Sequence, residues 1–286
     1  MSSSAPRSSL QRYPAVPFVK QPGLLARVAG LVVPPLILVM ALLCLYAWIR
    51  AGLPQHRLFL MPSGFDLWEK AFALSEVRRE LAWRALTTLG IAVAGLCLSI
   101  PFGIMLAIIM FRALLIERAL LPNIVLLQAI PTLAIIPLIQ TALGFGLLPK
   151  ILIVAKFTLF SVPITLLLGF KSIDRGTVDL FRLQGVGWGK TLIKACFPAA
   201  LPALFAGLRI AASLAVISAI SSELFFLAGR GGLGQMIINA KIDFKYEQMY
   251  AALITATGMS LCVYVVFAWL GHKLFAHWHE SADRQG

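Results

Sequence analysis

Long apolar stretches constrain the fold of this chain more than any other feature of its sequence. A hydrocarbon layer about 30 Å thick requires roughly 20 apolar residues in a helix, since lipid offers the backbone no other hydrogen-bond partner. We therefore predict an all-α, polytopic membrane helix bundle of about six transmembrane helices. The predicted spans are Gly30–Trp48, Ala85–Phe111, Ala119–Leu143, Leu147–Phe170, Pro202–Ala228 and Met249–Phe275.

The composition excludes an ordinary soluble domain. Hydrophobic residues make up 59% of the chain and charged residues 13%, whereas soluble proteins carry roughly 25% charged residues. In a soluble protein, the net charge of +13 would suggest binding to nucleic acid. Here the basic residues lie mainly in short connections between apolar stretches, which is typical of a membrane protein. We expect contact with lipid and none with nucleic acid.

The distribution of Lys and Arg favours an orientation with both termini in the cytoplasm. The longer connection between the first two spans carries mixed charge, and once it is set aside the basic residues concentrate in the connections assigned to the inside. Residues 1–29, rich in Ser and Pro, are expected to be a flexible cytoplasmic tail rather than a cleaved signal peptide. Residues 30–275 would form the membrane domain, and residues 276–286 a cytoplasmic tail.

The most informative polar segment lies between the fourth and fifth spans. It runs from Lys171 to Pro202 and reads KSIDRGTVDLFRLQGVGWGKTLIKACFPAALP. Asp174 or Thr177 could cap a short helix that ends near Gln184. The segment is therefore expected to hold two short amphipathic helices on the cytoplasmic face.

The two short helices are predicted to be separated by a glycine turn at residues 185–189. The second helix would cover residues 190–196, and Pro198 and Pro202 would mark the start of the fifth span. The glycines also form a GxGxG pattern, but no strand precedes it and no P-loop lysine follows it. A phosphate-binding loop is therefore not expected.

This segment resembles the cytoplasmic loop of permeases of ATP-binding cassette importers. That loop carries Glu-Ala-Ala, three residues, Gly, nine residues, then Ile-x-Leu-Pro. The corresponding residues here, with the same spacing, are Asp179, Leu180, Phe181, Gly185, Ala195, Phe197 and Pro198. The Ala-Ala pair is thus replaced by Leu-Phe, and the acid is shortened by one carbon.

The flanking sequence resembles one branch of these permeases, which transports nitrate, sulfonates, taurine, bicarbonate and thiamine-precursor pyrimidines. The stretches FPAALPALFAGLRIAASLAVISAISSELF, IPTLAIIPLIQTALGFG and GRGGLGQMI carry this likeness. The resemblance extends from about Leu58 to Leu270. It identifies the chain as a member of this branch.

The resemblance implies a type I importer permease fold in the bacterial inner membrane, with a coupling-helix loop at residues 171–201. It also implies a second copy of the chain, two cytoplasmic ATPase subunits and a periplasmic substrate-binding protein. ATP and Mg would be bound by the ATPase, so this chain would be no enzyme and would hold no cofactor. The residues expected to couple to the ATPase are Asp179, Arg182, Gly185, Trp188, Lys190 and Pro198.

Polar residues within the spans are candidates for the substrate pathway, because such groups are costly in lipid. Lys156 could attract an anionic substrate, or its side chain could extend to the outer interface. Glu223 could pair with Arg230 or with a partner subunit. Gln140 and Thr141 could hydrogen-bond a ligand or join two helices.

Other functions fit the sequence less well. Arg209 is expected to anchor the fifth span at headgroup level rather than to touch substrate. An ion-gradient-driven secondary transporter would show internal repeats and several buried acids, and a membrane enzyme would need a cluster of catalytic side chains. The histidines form no cluster, so we expect no metal site. The solute would be a nitrate, a sulfonate such as taurine, or a related organic anion, with a pyrimidine precursor as the alternative.

Overall fold

The structure is a computed structural model that describes residues 24–226 and 231–279. Over these ranges the chain is helical with short turns, and it contains no β-strand there, which confirms the all-α fold. The predicted terminal tails lie largely outside the described residues. The chain divides between Met61 and Pro62 into two compact units.

The first unit contains one long helix, α1 (Leu24–Ala51), followed by a 3-10 turn at Gln55–Leu60. The Nε of Arg50 donates a hydrogen bond of 2.8 Å to the carbonyl of Met61, which fixes the chain direction after the helix. Helix α1 covers the first predicted span. Its described apolar part, Leu36–Ala51, is shorter than the other spans, and its large apolar side chains are exposed, as a lipid-facing helix requires.

The second unit contains the rest of the helices. They are α2 (Gly64–Leu67) with a π-helical turn at Trp68–Phe72, α3 (Ser75–Arg112), α4 (Leu114–Ala129), α5 (Thr132–Leu143), α6 (Leu147–Thr158), α7 (Ser161–Lys171), α8 (Arg175–Leu183), α9 (Trp188–Thr191) with a π-helical turn at Leu192–Cys196, α10 (Phe197–Phe225), α11 (Leu233–Ile242) and α12 (Tyr246–His279). Helix α12 continues into the predicted C-terminal tail.

Four helical stretches in the described residues are long and apolar enough to cross a membrane. They correspond to the second, fourth, fifth and sixth predicted spans, and they are Ser75–Arg112, Leu147–Lys171, Trp188–Phe225 and Tyr246–Gly271. Helices α6 and α7 together form one of these stretches. The prediction from apolar length is therefore confirmed for these four.

The third predicted span, Ala119–Leu143, is not one continuous helix. It is divided into α4 and α5, whose axes differ by 95°. The break falls at Ile130 and Pro131, which have extended backbone angles. Proline lacks an N–H and disfavours helical geometry in the residue before it, so the chain turns at this point.

The fifth span also differs from its prediction, because its helix begins at Trp188 rather than at Pro202. The helix continues through a π-helical turn into α10, and Pro202 lies inside it. The predicted second short helix of the polar segment is therefore the first part of this long helix. The predicted first short helix is α8, capped by Asp174.

Helix α10 is the centre of the second unit and packs against α3, α6, α7, α11 and α12. The residues that it buries are mainly small: Ala200, Gly207, Ala211, Ala212, Ala215, Ser218 and Ala219. Small side chains let helix backbones approach closely, which supplies packing energy where lipid removes the hydrophobic driving force between helices. The packing around α10 sets the relative positions of the polar groups described below.

Candidate functional site

The polar segment between α7 and α10 is exposed along most of its length. Asp174 caps α8 by accepting a hydrogen bond of 3.2 Å from the backbone N–H of Thr177. Asp179 and Arg182 are exposed and form an (i, i+3) ion pair, in which Nη1 of Arg182 lies 3.5 Å from Oδ1 of Asp179. Leu183, at the end of the helix, is 86% exposed. Helix α8 therefore presents charged and apolar groups that no described residue covers.

Gly185 ends α8 in a left-handed conformation, with φ of 70°. The N–H of Val186 donates to the carbonyl of Phe181, and the N–H of Gly185 donates to that of Arg182. These two bonds form a Schellman motif, which requires a left-handed residue at this position and therefore favours glycine. The predicted glycine turn is thus a helix C-cap with a defined geometry.

The residues after the turn lie at the start of the long helix. Trp188 is its first residue, and the guanidinium carbon of Arg112 lies 4.6 Å from the centre of the Trp188 ring. Lys190 is exposed, and Pro198 lies near the start of α10 inside the continuous helix. A cleft of about 450 Å³, lined in part by Arg112, Arg182 and Trp188, separates α8 from the end of α3.

A second group of polar residues surrounds Glu223, which is fully buried near the end of α10. Its carboxylate accepts hydrogen bonds of 3.1 Å from the N–H of Gly232 and 2.9 Å from the N–H of Gly234. The hydroxyl of Thr88 on α3 lies 2.9 Å from the same carboxylate and also accepts a bond of 2.8 Å from the N–H of Leu233. Glu223 therefore fixes the first turn of α11 to α3 and α10, and it also complements the positive end of the α11 dipole.

Two features of this cluster were not predicted from the sequence. Lys150, on α6, is 1% exposed and lies close enough to interact electrostatically with Glu223. At Gly232 a Cβ atom would lie 2.3 Å from a Glu223 carboxylate oxygen, and at Gly234 it would lie 2.4 Å from the carbonyl oxygen of Ile220. The glycines in GRGGLGQMI were the available signal, because close approach to a backbone requires glycine. The suggested Arg230 partner lies outside the described residues.

Lys156 lies on α6 beside the break in the third span. Its ammonium donates hydrogen bonds of 2.9 Å to the carbonyl of Ile130 and 2.8 Å to the hydroxyl of Thr132. The side-chain amide of Gln128 donates in turn to the carbonyl of Lys156 at 3.2 Å. Lys156 is thus a link between α6 and the break, and an ammonium has three donors, of which these contacts use two.

The two remaining pathway candidates bond to nearby backbone. Gln140, on α5, donates a hydrogen bond of 3.0 Å to the carbonyl of Phe225 at the end of α10. The hydroxyl of Thr141 donates a hydrogen bond of 2.9 Å to the carbonyl of Pro137, one turn earlier in the same helix. The structure therefore places Gln140 and Glu223 at the same end of α10, whereas Lys156 lies at the break and Thr141 is exposed.

These features define a polytopic helical membrane protein with an exposed polar segment joined directly to one of its spans. Residues 99–276 match the family described as binding-protein-dependent transport system inner membrane component. The chain belongs to this family, and it is a multi-pass inner-membrane permease of the ABC transporter class. This confirms the family that the polar segment and its flanks indicated.

Three similar proteins are themselves named as transport permeases, which supports the assignment to the ABC transporter class. A probable ABC transporter permease protein of Haemophilus influenzae is 32% identical over 241 residues, covering 84% of this chain and 95% of the relative. The formylaminopyrimidine transport permease ThiX of Halalkalibacterium halodurans is 34% identical over 68% of this chain and 76% of its own length. The putative aliphatic sulfonates transport permease SsuC of Bacillus subtilis is 28% identical over 57% of this chain and 58% of its own length.

Proposed function

We propose that this chain is the membrane-spanning subunit of an ATP-driven importer that moves a small anionic solute inward. A periplasmic binding protein would deliver the solute. Two cytoplasmic ATPase subunits would bind ATP and Mg, and a second copy of this chain would complete the path. Both termini would lie in the cytoplasm, which places the segment from α8 to the start of α10 on the ATPase side.

The observation that carries this proposal is the continuity of the helix from Trp188 to Phe225. A partner that moves α8 and its Gly185 cap would displace the first turns of the same helix that forms the packing centre of the bundle. The residues that would contact the ATPase are Asp179, Arg182, Trp188 and Lys190. Pro198 would lie where this contact segment continues into α10. Such a segment can act as a two-state element biased by nucleotide.

The preference for an anion rests on the cationic side chains within the spans. The Lys156 ammonium retains one donor after its bonds to Ile130 and Thr132. A nitrate, a sulfonate or taurine would match that charge, and the SsuC relative is designated a sulfonate permease. Gln140 and Glu223 would support this path by holding α5, α10 and α11 in position. The exposed Thr141 would hydrogen-bond the passing solute.

Co-purification and transport test this proposal. The chain would be expressed with the genes beside its own, purified, and reconstituted in liposomes with the matching binding protein. We expect an ATPase to purify with the chain, and we expect solute to accumulate only when ATP is present. Accumulation by the chain alone along a proton or sodium gradient, without ATP, would contradict the proposal and favour a secondary transporter.

A further inference from the structure

Arg209 lies near the middle of α10 rather than near its start. Because the helix starts at Trp188 and its apolar part follows the exposed Lys194, Arg209 is well inside α10. At a rise of 1.5 Å per residue, it lies roughly 18 Å from Phe197 and roughly 24 Å from Phe225. A hydrocarbon layer about 30 Å thick, centred on α10, would then place Arg209 roughly 12 Å from its nearer surface.

The guanidinium of Arg209 has little polar compensation among the described residues. Its Nε is buried, and no described group accepts a hydrogen bond from it. The neighbour that does contact it is the ring of Tyr264 on α12, with its centre 5.3 Å from the guanidinium carbon. A cation over an aromatic face is stabilised by the ring but keeps its hydrogen-bond donors available.

A cation without a polar partner is costly inside a span. Charged side chains within a span are rare, and they usually pair with another group or mark a path for ions or substrates. Glu223 is 14 residues farther along the same helix and is held by α3 and α11, so it cannot supply the pairing charge. No described residue of this chain therefore supplies a polar partner for the Nε of Arg209.

We propose that Arg209 and Tyr264 form an intramembrane binding site for the anionic group of the transported solute. The guanidinium would bind an oxyanion such as nitrate or a sulfonate through its planar set of donors, and the Tyr264 ring would hold the guanidinium in place. This inference rests on the proposed transport function for the identity of the ligand. It assigns the principal anion contact to α10 and α12, with Lys156 as a secondary contact beside the break.

The experiment uses the purified full-length chain in detergent, with sodium nitrate and sodium methanesulfonate as probes and sodium gluconate at equal ionic strength as the reference. Thermal unfolding would be followed for the wild type and for Arg209→Met, Arg209→Lys and Arg118→Met. Arg118 is an exposed arginine on α4 outside this site, so it controls for loss of a positive charge. This measurement needs neither ATP nor a partner, and it can succeed even if the importer proposal fails.

We expect Arg209→Met to raise the unfolding temperature by about 2–4 °C, because a half-buried charge whose Nε has no acceptor among the described residues is replaced by an apolar side chain. Nitrate or methanesulfonate should stabilise the wild type, Arg209→Lys and Arg118→Met, but not Arg209→Met. In the reconstituted importer, Arg209→Met should lower uptake at least about tenfold, as expected for loss of a charge-assisted contact. A lower unfolding temperature for Arg209→Met, or no anion response in the wild type, would overturn the inference.

Discussion

At the scale of single residues, the chain uses buried charge to fix backbone geometry. Glu223 accepts two backbone N–H groups at the start of α11 and a hydroxyl from α3. Burying a carboxylate is costly unless hydrogen bonds and an opposite charge compensate for it. The Gly232 and Gly234 amides, Thr88 and Lys150 provide that compensation. The Glu223 cluster is therefore a structural brace, in which hydrogen bonds join α3, α10 and α11, rather than a free carboxylate in the substrate pathway.

Replacing Glu223 tests this brace. Glu223→Ala should lower the free energy of unfolding by about 3–5 kcal/mol, because Lys150 loses its opposite charge and the two amides lose their acceptor. Glu223→Gln should cost less, since the amide oxygen still accepts hydrogen bonds. Thermal unfolding in detergent measures both, with the exposed Glu76→Ala as the control. Equal unfolding temperatures for Glu223→Ala and Glu76→Ala would show that the brace is not needed.

A matched pair of glycine substitutions tests the close approach at α11. In Gly234→Ala the new methyl group would lie 2.4 Å from the Ile220 carbonyl oxygen, so the backbone must shift. At Gly90, on α3, a Cβ would meet no atom within 4 Å. We expect Gly234→Ala to destabilise the protein by about 1–3 kcal/mol, as overpacking does. Gly90→Ala should be neutral or slightly stabilising. Similar unfolding temperatures for the two variants would contradict this account.

At the scale of elements, two prolines in apolar helices have opposite outcomes. Pro101 lies inside α3, which continues through it, whereas the chain breaks at Pro131. The local sequence does not distinguish them, because both follow apolar residues in long apolar stretches. At Pro131 the carbonyl of Ile130 finds a donor on Lys156 of another helix. A tertiary contact therefore stabilises the break, and apolar length alone could not predict it.

The contact between Lys156 and Ile130 can be tested by hydrogen exchange. Lys156→Met removes the donor to the Ile130 carbonyl and to Thr132, so the amides of residues 130–136 should exchange faster, by a factor of about 5–10 for a loss of about 1 kcal/mol. Exchange in α10 should not change. Lys194→Met, which removes an exposed lysine from the start of the long helix, is the control. Unchanged exchange at residues 130–136 would show that the break does not depend on Lys156.

At the scale of the whole molecule, the sequence predicts the spans better than the sites. Apolar length determines a span because lipid forces the backbone into helix, and the polar segment was recognisable because its spacing matches the family. The Glu223 cluster instead joins α3, α6, α10 and α11, and Thr88 is 135 residues from Glu223 in the chain. Such a cluster depends on how the helices pack, which one sequence does not reveal. The orientation of the termini stays a prediction.

The segment from α8 to the start of α10 is proposed to transmit the action of an ATPase to the membrane helices. Gly185 is the best position at which to test this role. Its φ of 70° favours glycine, so a substitution strains the backbone, but a new Cβ would meet no other atom within 4 Å. A bulky acid would strain the cap by about 1–2 kcal/mol without creating a collision. Asparagine tolerates the left-handed region better than most residues, and Gly189 offers an exposed glycine of ordinary φ in the same segment.

The most direct test compares Gly185→Glu, Gly185→Asn and Gly189→Glu in the importer reconstituted with its ATPase and binding protein, with ATP hydrolysis and solute uptake measured in the same liposomes. We predict that Gly185→Glu hydrolyses ATP but accumulates about 5- to 30-fold less solute per ATP, from a strain of about 1–2 kcal/mol at the cap of α8. Gly185→Asn and Gly189→Glu should keep most of the uptake. Normal uptake per ATP by Gly185→Glu would contradict the role of this segment in coupling.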